Sequence, residues 1–389
     1  MADSFTEVTS QSWFSRIIGS IVGIGVGFLL LLIAVVLLWW NEGNSLATAK
    51  SLKEGAAAVV DVAPDKVDAA NDGKLVHVTG KAVTEAEVSD EMFAVTAKAL
   101  RLRREVEMYQ WDETKSTEEQ KKLGGGTETV TTYTYNKKWA ASPIDSGDFK
   151  HPEGHENPGA MLAEGEAFTA AEVTLGAFTV PKSIVDQMSG DEPLVPKPES
   201  YAALSSELKK KGRLTDTGYY FGNDPAKPAV GDTRVTFTVL EPGIFSIIAQ
   251  QTGSTFQPYA TKSGKEIERV ESGTMSAALM FKHAQDENRV FTWILRVVGF
   301  FLMFIGFALI FKPLSVIMDV LPFLGDLVGA GTGLVAFVLA LVSSFTVIAV
   351  AWLAVRPLFG GTLLVLAVAA LVWGVKMGAK RKALKTATA

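Results

Sequence analysis

The stretch "GSIVGIGVGFLLLLIAVVLLWWNEG" (Gly19–Gly43) decides the reading of the whole chain. Its first half is rich in glycine, its second half is unbroken hydrocarbon, and it stops at two tryptophans and a polar triplet. From Ile17 to Trp40 there are 24 residues without a charge. At 1.5 Å per residue such a helix is roughly 36 Å long, enough to cross a ~30 Å hydrocarbon core with some tilt. A cleaved signal peptide would carry an apolar core of only about 7–15 residues, so an uncleaved anchor is the better reading. Gly19, Gly23 and Gly27 fall four apart, one helix face of small residues on which another helix backbone can pack closely. That partner is either a second copy or one of this chain's own later spans. Trp39 and Trp40 suit the aromatic belt at a membrane interface.

Working outward, three further uncharged runs lie near the end of the chain. Val290–Phe311 is broken only by Arg296, which is free to snorkel to the headgroups. Leu327–Val355 and Leu358–Val375 follow, with Arg356 between them. The expected organisation is a cytoplasmic tail (1–16), a first span (17–40), a polar region (41–289), a second span (290–311), a cytoplasmic interfacial loop (312–326), a third span (327–355), a fourth span (358–375) and a basic tail (376–389). The tail carries Lys376, Lys380, Arg381, Lys382 and Lys385 and no acid, which by the positive-inside rule keeps it cytoplasmic. Four spans then return the N-terminus to the cytoplasm and place the polar region on the other side, in a periplasm or a lumen. In 312–326, Leu314, Ile317, Met318 and Leu321 fall at helical spacing and predict an in-plane helix.

The polar region holds 28 of the 37 Lys and Arg and 38 of the 42 Asp and Glu, a formal charge of −10. An acidic exterior gives no reason to expect nucleic-acid binding. The basic tail suits anionic membrane lipids. The chain has no cysteine, so no disulfide supports this region and its core must hold it together.

Within that region "LVHVTG" (Leu75–Gly80), "LRLRREVEMYQW" (Leu100–Trp111), "TETVTTYTYNKKW" (Thr127–Trp139), Ala171–Val180, Thr233–Leu240 and Ile244–Gln250 read as strands. The second and third should pair as a hairpin across the loop of Gly124, Gly125 and Gly126. Arg104 falls on the apolar side of its strand, which suggests a bulge or bend there. Short helices are expected within Thr84–Leu100, at Lys182–Met188 after Pro181, and over Ser200–Lys211. Met275–Arg289 has no breaker and should run straight into the second span. The fold class is α+β: four transmembrane helices, one N-terminal and three C-terminal, around a β-rich α+β extracytoplasmic domain.

Chemistry is harder to find. His151 and His155 in "HPEGH" have metal-pair spacing, but Pro152 and Gly154 break the helix such a pair needs. "TKSGK" (Thr261–Lys265) reads as a solvated turn rather than a Ser-Lys dyad. No nucleophile elbow, phosphate loop or dinucleotide fingerprint is present. No catalytic, cofactor or metal residues are expected, and no span carries an acid or histidine near its middle, as proton or ion pathways require.

Eight short stretches carry a resemblance: "NEG" (Asn41–Gly43), "LVHVTG", "LRREVEMYQW", "TYTYNKKW", "GHENPGAM" (Gly154–Met161), "GDTRVTF" (Gly231–Phe237), "PYATKSG" (Pro258–Gly264) and "RPL" (Arg356–Leu358). In this order, between one early span and three late ones, they resemble the transmembrane protein 43 family, also called LUMA, over nearly the whole chain. The resemblance implies a non-enzymatic membrane scaffold that self-associates. In animals it implies one of the endoplasmic reticulum and inner nuclear membrane that meets lamins and emerin. The lack of cysteine and the abundance of Ala, Val and Gly suggest a bacterial member, in the inner membrane with a periplasmic domain. A membrane-tethered sensor that binds a lipid, peptide or envelope component is the alternative.

Overall fold

Alternating apolar and polar side chains draw out long strands, and uninterrupted apolar runs draw out longer helices. The computed structural model describes residues 3–355. In chain order the main elements are β1 (Asp3–Gln11), α1 (Trp13–Ala58), β2 (Leu75–Val83), β3 (Arg101–Lys121), β4 (Thr127–Ala140), α2 (Lys182–Gln187), α3 (Pro198–Ala203), α4 (Ser206–Lys211), β5 (Gly218–Phe221), β6 (Thr233–Leu240), β7 (Gly243–Thr252), α5 (Ala277–Met318) and α6 (Pro322–Val355). The chain divides into two compact units: Met1–Thr9 with Ser51–Glu119 and Thr129–Ala284, and Ser10–Lys50 with Gln120–Glu128 and Gln285–Ala389.

The first unit is built on two sheets. One has eight strands in the order β1-β4-β3-β6-β5 followed by Gly212–Leu214, with Glu166–Thr169 on β3 and Glu192–Leu194 on β6. The other has seven, with β2 and β7 antiparallel at its centre and Val60–Val62 parallel to β2. Leu102, Val106, Val235, Phe237 and Tyr219 of the first share one core with Val76, Val78, Ile247, Phe245 and Phe178 of the second. Each such buried side chain contributes about 1.5–3 kcal/mol by leaving water, which is how a cysteine-free domain of this size stays folded. A smaller cluster sits around β7. Leu52 from the end of α1 and Met280, Phe281 and Ala284 from the start of α5 pack with Leu75, Ile248 and Ile267. Gly55 is required there, since a Cβ on it would lie 2.4 Å from Ile267 Cδ1.

Several expectations change. Arg104 makes no bulge: β3 and β6 pair without a break from Arg101 opposite Leu240 to Met108 opposite Thr233. Arg104 instead turns inward to Asp90 at 2.6 Å, with Phe93 and Phe168 flanking its guanidinium. Thr84–Leu100 holds no helix; Val88–Asp90 and Val95–Ala97 pair as a small hairpin. The helix expected over Ser200–Lys211 is two, α3 and α4, parted at Leu204–Ser205, where the Ser205 hydroxyl caps α4. Ala171–Val180 is two short strands turned at Gly176.

The second unit contains three helices long and apolar enough to cross a membrane. Their bounds differ from the apolar runs. α1 does not stop at Trp40 but continues to Ala58, because Asn41–Ser45 finds partners inside the helix bundle. α5 carries Pro313 and runs to Met318, and α6 begins at Pro322, so the expected loop 312–326 shrinks to a turn at 319–321. β1 also departs from expectation, since it is paired with β4 of the polar region. The fourth apolar run (358–375), Arg356 and Lys376, Lys380, Arg381, Lys382 and Lys385 lie outside the described residues.

Candidate functional site

The glycine face of α1 meets α5. A Cβ added to Gly27 would lie 2.6 Å from the carbonyl oxygen of Gly306, and one added to Gly306 would lie 2.9 Å from that of Gly27. The two backbones touch, and only glycine at both positions permits it. Gly23 borders the contact, with Leu309 at 3.9 Å, while Gly19 has nothing within 4 Å. One turn-set further along, Gly299 makes room for Leu38, and Ala34, Leu38, Met303 and Ala340 join α1, α5 and α6 in a small buried cluster.

Beyond this seam the same two helices are joined by polar groups. Asn288, Thr292 and Arg296 fall four apart on α5 and face Ser45, Asn41 and Glu42 on α1. The Asn288 amide donates to the Ser45 carbonyl at 3.1 Å, and the Asn41 amide to the Thr292 carbonyl at 3.1 Å. The Thr292 and Ser45 hydroxyls lie 2.8 Å apart. Arg296 donates through Nε and Nη2 to the two oxygens of Glu42 at 2.7 and 2.8 Å. Trp352 of α6 adds a third donor to that carboxylate, Nε1 to Oε2 at 2.7 Å. The guanidinium also lies over the rings of Trp293 and Trp352.

Glu42 is only 4% exposed, and a bare carboxylate at that depth would be prohibitively costly; three charge-assisted donors make it tenable. Arg296, expected to snorkel outward, is thus turned inward, whereas Trp39 and Trp40 remain exposed on α1. Beside the pair, a groove of about 560 Å³ between α5 and α6 is lined by Trp293, Phe300, Phe345 and Trp352.

At the opposite end of α1 a second ionic cluster gathers on Asp319, 1% exposed in the α5–α6 turn. Arg16 reaches it at 2.6 Å and Lys121, at the tip of the β3–β4 hairpin, at 2.7 Å; Lys121 also binds Asp326 at 2.7 Å. Burial works to lower the Lys121 ammonium, but the hydrogen bonds to both carboxylates outweigh it and hold its pKa above the ordinary lysine value. Backbone contacts complete the joint. Gly124 N donates to Val320 O at 3.1 Å, and Trp13 Nε1 donates to Val316 O at 2.9 Å. Gly125, at φ +81°, admits the Trp13 ring where a side chain would collide.

In the first unit the stretches that carried the resemblance converge on His155. Its ring stacks on Tyr135 at 3.9 Å between centroids and meets the edge of Trp111 at 4.7 Å. Asn157 accepts from Trp111 N at 2.7 Å and donates back to its carbonyl at 2.9 Å. The Tyr135 hydroxyl donates to Glu113 at 2.8 Å, and burial together with that carboxylate pushes the phenol up to about 12. His151 contributes its backbone amide to Tyr135 and its carbonyl to His155. Among the described residues no three His, Asp or Glu side chains are grouped to hold a metal ion. Arg234 and Glu107 pair across β6 and β3 at 2.6 Å, as neighbouring strands allow. Thr261 of "TKSGK" is buried, hydrogen-bonded to Ser51 and to the Lys265 carbonyl, which fits a turn.

Three apolar helices joined by close glycine contact and buried ion pairs, with a two-sheet α+β domain in the same chain, define an integral membrane protein with a large polar domain. The family model described as Transmembrane protein 43 matches residues 108–357. Transmembrane protein 43 of Rattus norvegicus is 34% identical over 357 residues, covering 88% of this chain and 86% of that protein. The Homo sapiens protein is 33% identical over 370 residues, 91% and 90% of the two chains. The homolog of Drosophila melanogaster is 28% identical over 384 residues, 95% and 96%. No solved structure matches. The chain belongs to the transmembrane protein 43 family.

Proposed function

We propose that this protein is a non-enzymatic membrane scaffold whose α1–α5 pair forms a rigid frame in the bilayer for the α+β domain. The observation that carries this reading is the Glu42–Arg296–Trp352 cluster. Its charges and donors are spent on one another, so it locks three helices and leaves no free acid, base or nucleophile. The Gly27–Gly306 contact adds stiffness without side-chain entropy to lose. The names of the relatives describe membrane proteins and no enzyme, which agrees with this reading.

Self-association is part of the proposal, but Gly27 is already occupied by α5. Copies would therefore meet through the faces of the helices that remain exposed. Crosslinking in native membranes tests this: a ladder of oligomers is expected from the full-length chain. A protein that stays strictly monomeric at every crosslinker concentration would remove self-association from the account. Proteins recovered with the crosslinked chain would identify what it organises.

A further inference from the structure

We propose that the groove between α5 and α6 is a lipid site. It holds one acyl chain of a glycerophospholipid, and an ester or phosphate oxygen of the same molecule accepts a hydrogen bond from Arg296.

The groove has a polar end and an apolar length. At the polar end Arg296 spends Nε and Nη2 on Glu42, which neutralises the guanidinium. Its Nη1 carries two further N–H groups, and these have no hydrogen-bond partner among the described residues. The side chain is 17% exposed, so that edge is reachable from outside the helix bundle. It needs an oxygen acceptor, as every arginine N–H is a donor. From Arg296 onward the lining is hydrocarbon and ring: Val297, Phe300, Leu341, Phe345 and Ile348. Ser344 adds no polar demand, because it is buried and its hydroxyl is turned to Met303 Sδ at 3.3 Å. The fitting occupant is an amphiphile with oxygens at one end and a long apolar body.

Depth and length select the lipid. Trp39 and Trp40 close the apolar run of α1, and the next two residues, Asn41 and Glu42, bind Thr292 and Arg296. Groups in hydrogen-bond contact share one depth. Arg296 therefore stands at the level of the aromatic belt, where lipid headgroups lie. Trp352, which binds the same carboxylate, marks that level on α6. From Trp352 to Leu341, at the far end of the groove, α6 runs eleven residues. That is about 16 Å of helix. Half of a ~30 Å hydrocarbon core is ~15 Å, so the groove is as long as the chain layer of one leaflet. A membrane-spanning helix of a partner would lie along both leaflets and call for a face about twice as long.

Native mass spectrometry of the full-length chain, purified in mild detergent and supplied with phosphatidylcholine, tests the proposal. Ala349 lines the groove and is exposed, so Ala349→Trp fills the groove without touching Glu42 or Arg296. Val342 is exposed on α6 and does not line it, so Val342→Trp is the control of equal size. One retained phospholipid per chain is expected in wild type and in Val342→Trp, and several-fold less in Ala349→Trp. No retained lipid in wild type, or equal retention in all three, would overturn the site. A second measurement needs only the wild type, in vesicles of phosphatidylcholine carrying a mid-chain diazirine. Phe300, Leu341 and Phe345 should be labelled several-fold more than Leu334 and Val342, which are exposed to lipid but lie outside the groove. Even labelling of all five, or adducts of the groove residues with a second protein chain in place of lipid, would also overturn it.

Discussion

Gly27 and Gly306 face each other across α1 and α5 with no room for a methyl group on either. That contact explains the glycine at position 27 of the opening apolar stretch, although glycine is a poor helix former. The expected outcome of Gly27→Ala is a loss of about 1–3 kcal/mol, the ordinary cost of overpacking. Gly19→Ala, at a position with open space, should change stability by no more than about 0.5 kcal/mol, or raise it slightly through better helix propensity. Thermal melts of both variants in one detergent check the contrast.

Asp319 should behave as an anchor for two cations. Asp319→Asn removes the charge that Arg16 and Lys121 share, and a loss of about 3 kcal/mol is expected, the scale for breaking a buried pair. Lys121→Met should cost less, since Arg16 still neutralises the carboxylate. Equal melting points for Asp319→Asn and wild type would show that the joint contributes nothing.

The polar domain should lose stability in alkali. The Tyr135 phenol is raised to about 12 in the folded chain, and Tyr219 is likewise pushed up to about 12, chiefly by burial. A group whose folded pKa exceeds its unfolded value stabilises fully below the unfolded value, about 10 for tyrosine, and that contribution is lost as pH rises through the folded one. Melting temperature should therefore fall between about pH 10 and pH 12. In Tyr135→Phe the fall should be shallower, measured as the difference from wild type across that range.

Buried Arg104 offers a fourth test. Its pair with Asp90 sits in the core between aromatic rings, so Arg104→Met alone strands a buried carboxylate and should cost about 3–5 kcal/mol. Arg104→Met with Asp90→Leu should recover most of it. Urea unfolding of the two variants, followed by tryptophan fluorescence, distinguishes them.

Much of this was legible in the residues. Period-two alternation marked Leu75–Gly80 and Thr233–Leu240 as strands, and the triple glycine at 124–126 marked the hairpin turn. Four-residue spacing identified Gly27 as a packing position, while the identity of its partner was not legible, since Gly306 lies 279 positions away and nothing local links them. The same distance hid the polar cluster. Glu42 looks like the first residue of a soluble domain until Arg296 and Trp352 are seen to close on it. Arg104 misled because alternation treats a charge on the apolar side as a defect, whereas Asp90 turns it into a core residue. β1 was not anticipated because an edge strand takes its stability from a partner, here β4, rather than from its own pattern.

The central claim is that Glu42 and Arg296 lock α1 to α5. A charge swap tests it most directly, by measuring the melting temperature of Glu42→Arg, Arg296→Glu and the double variant in one detergent. Each single change places two like charges in a buried site and should destabilise by at least about 3 kcal/mol, with the double variant regaining a substantial part. Single variants that melt with the wild type, or a double variant no better than the sum of the singles, would contradict the account.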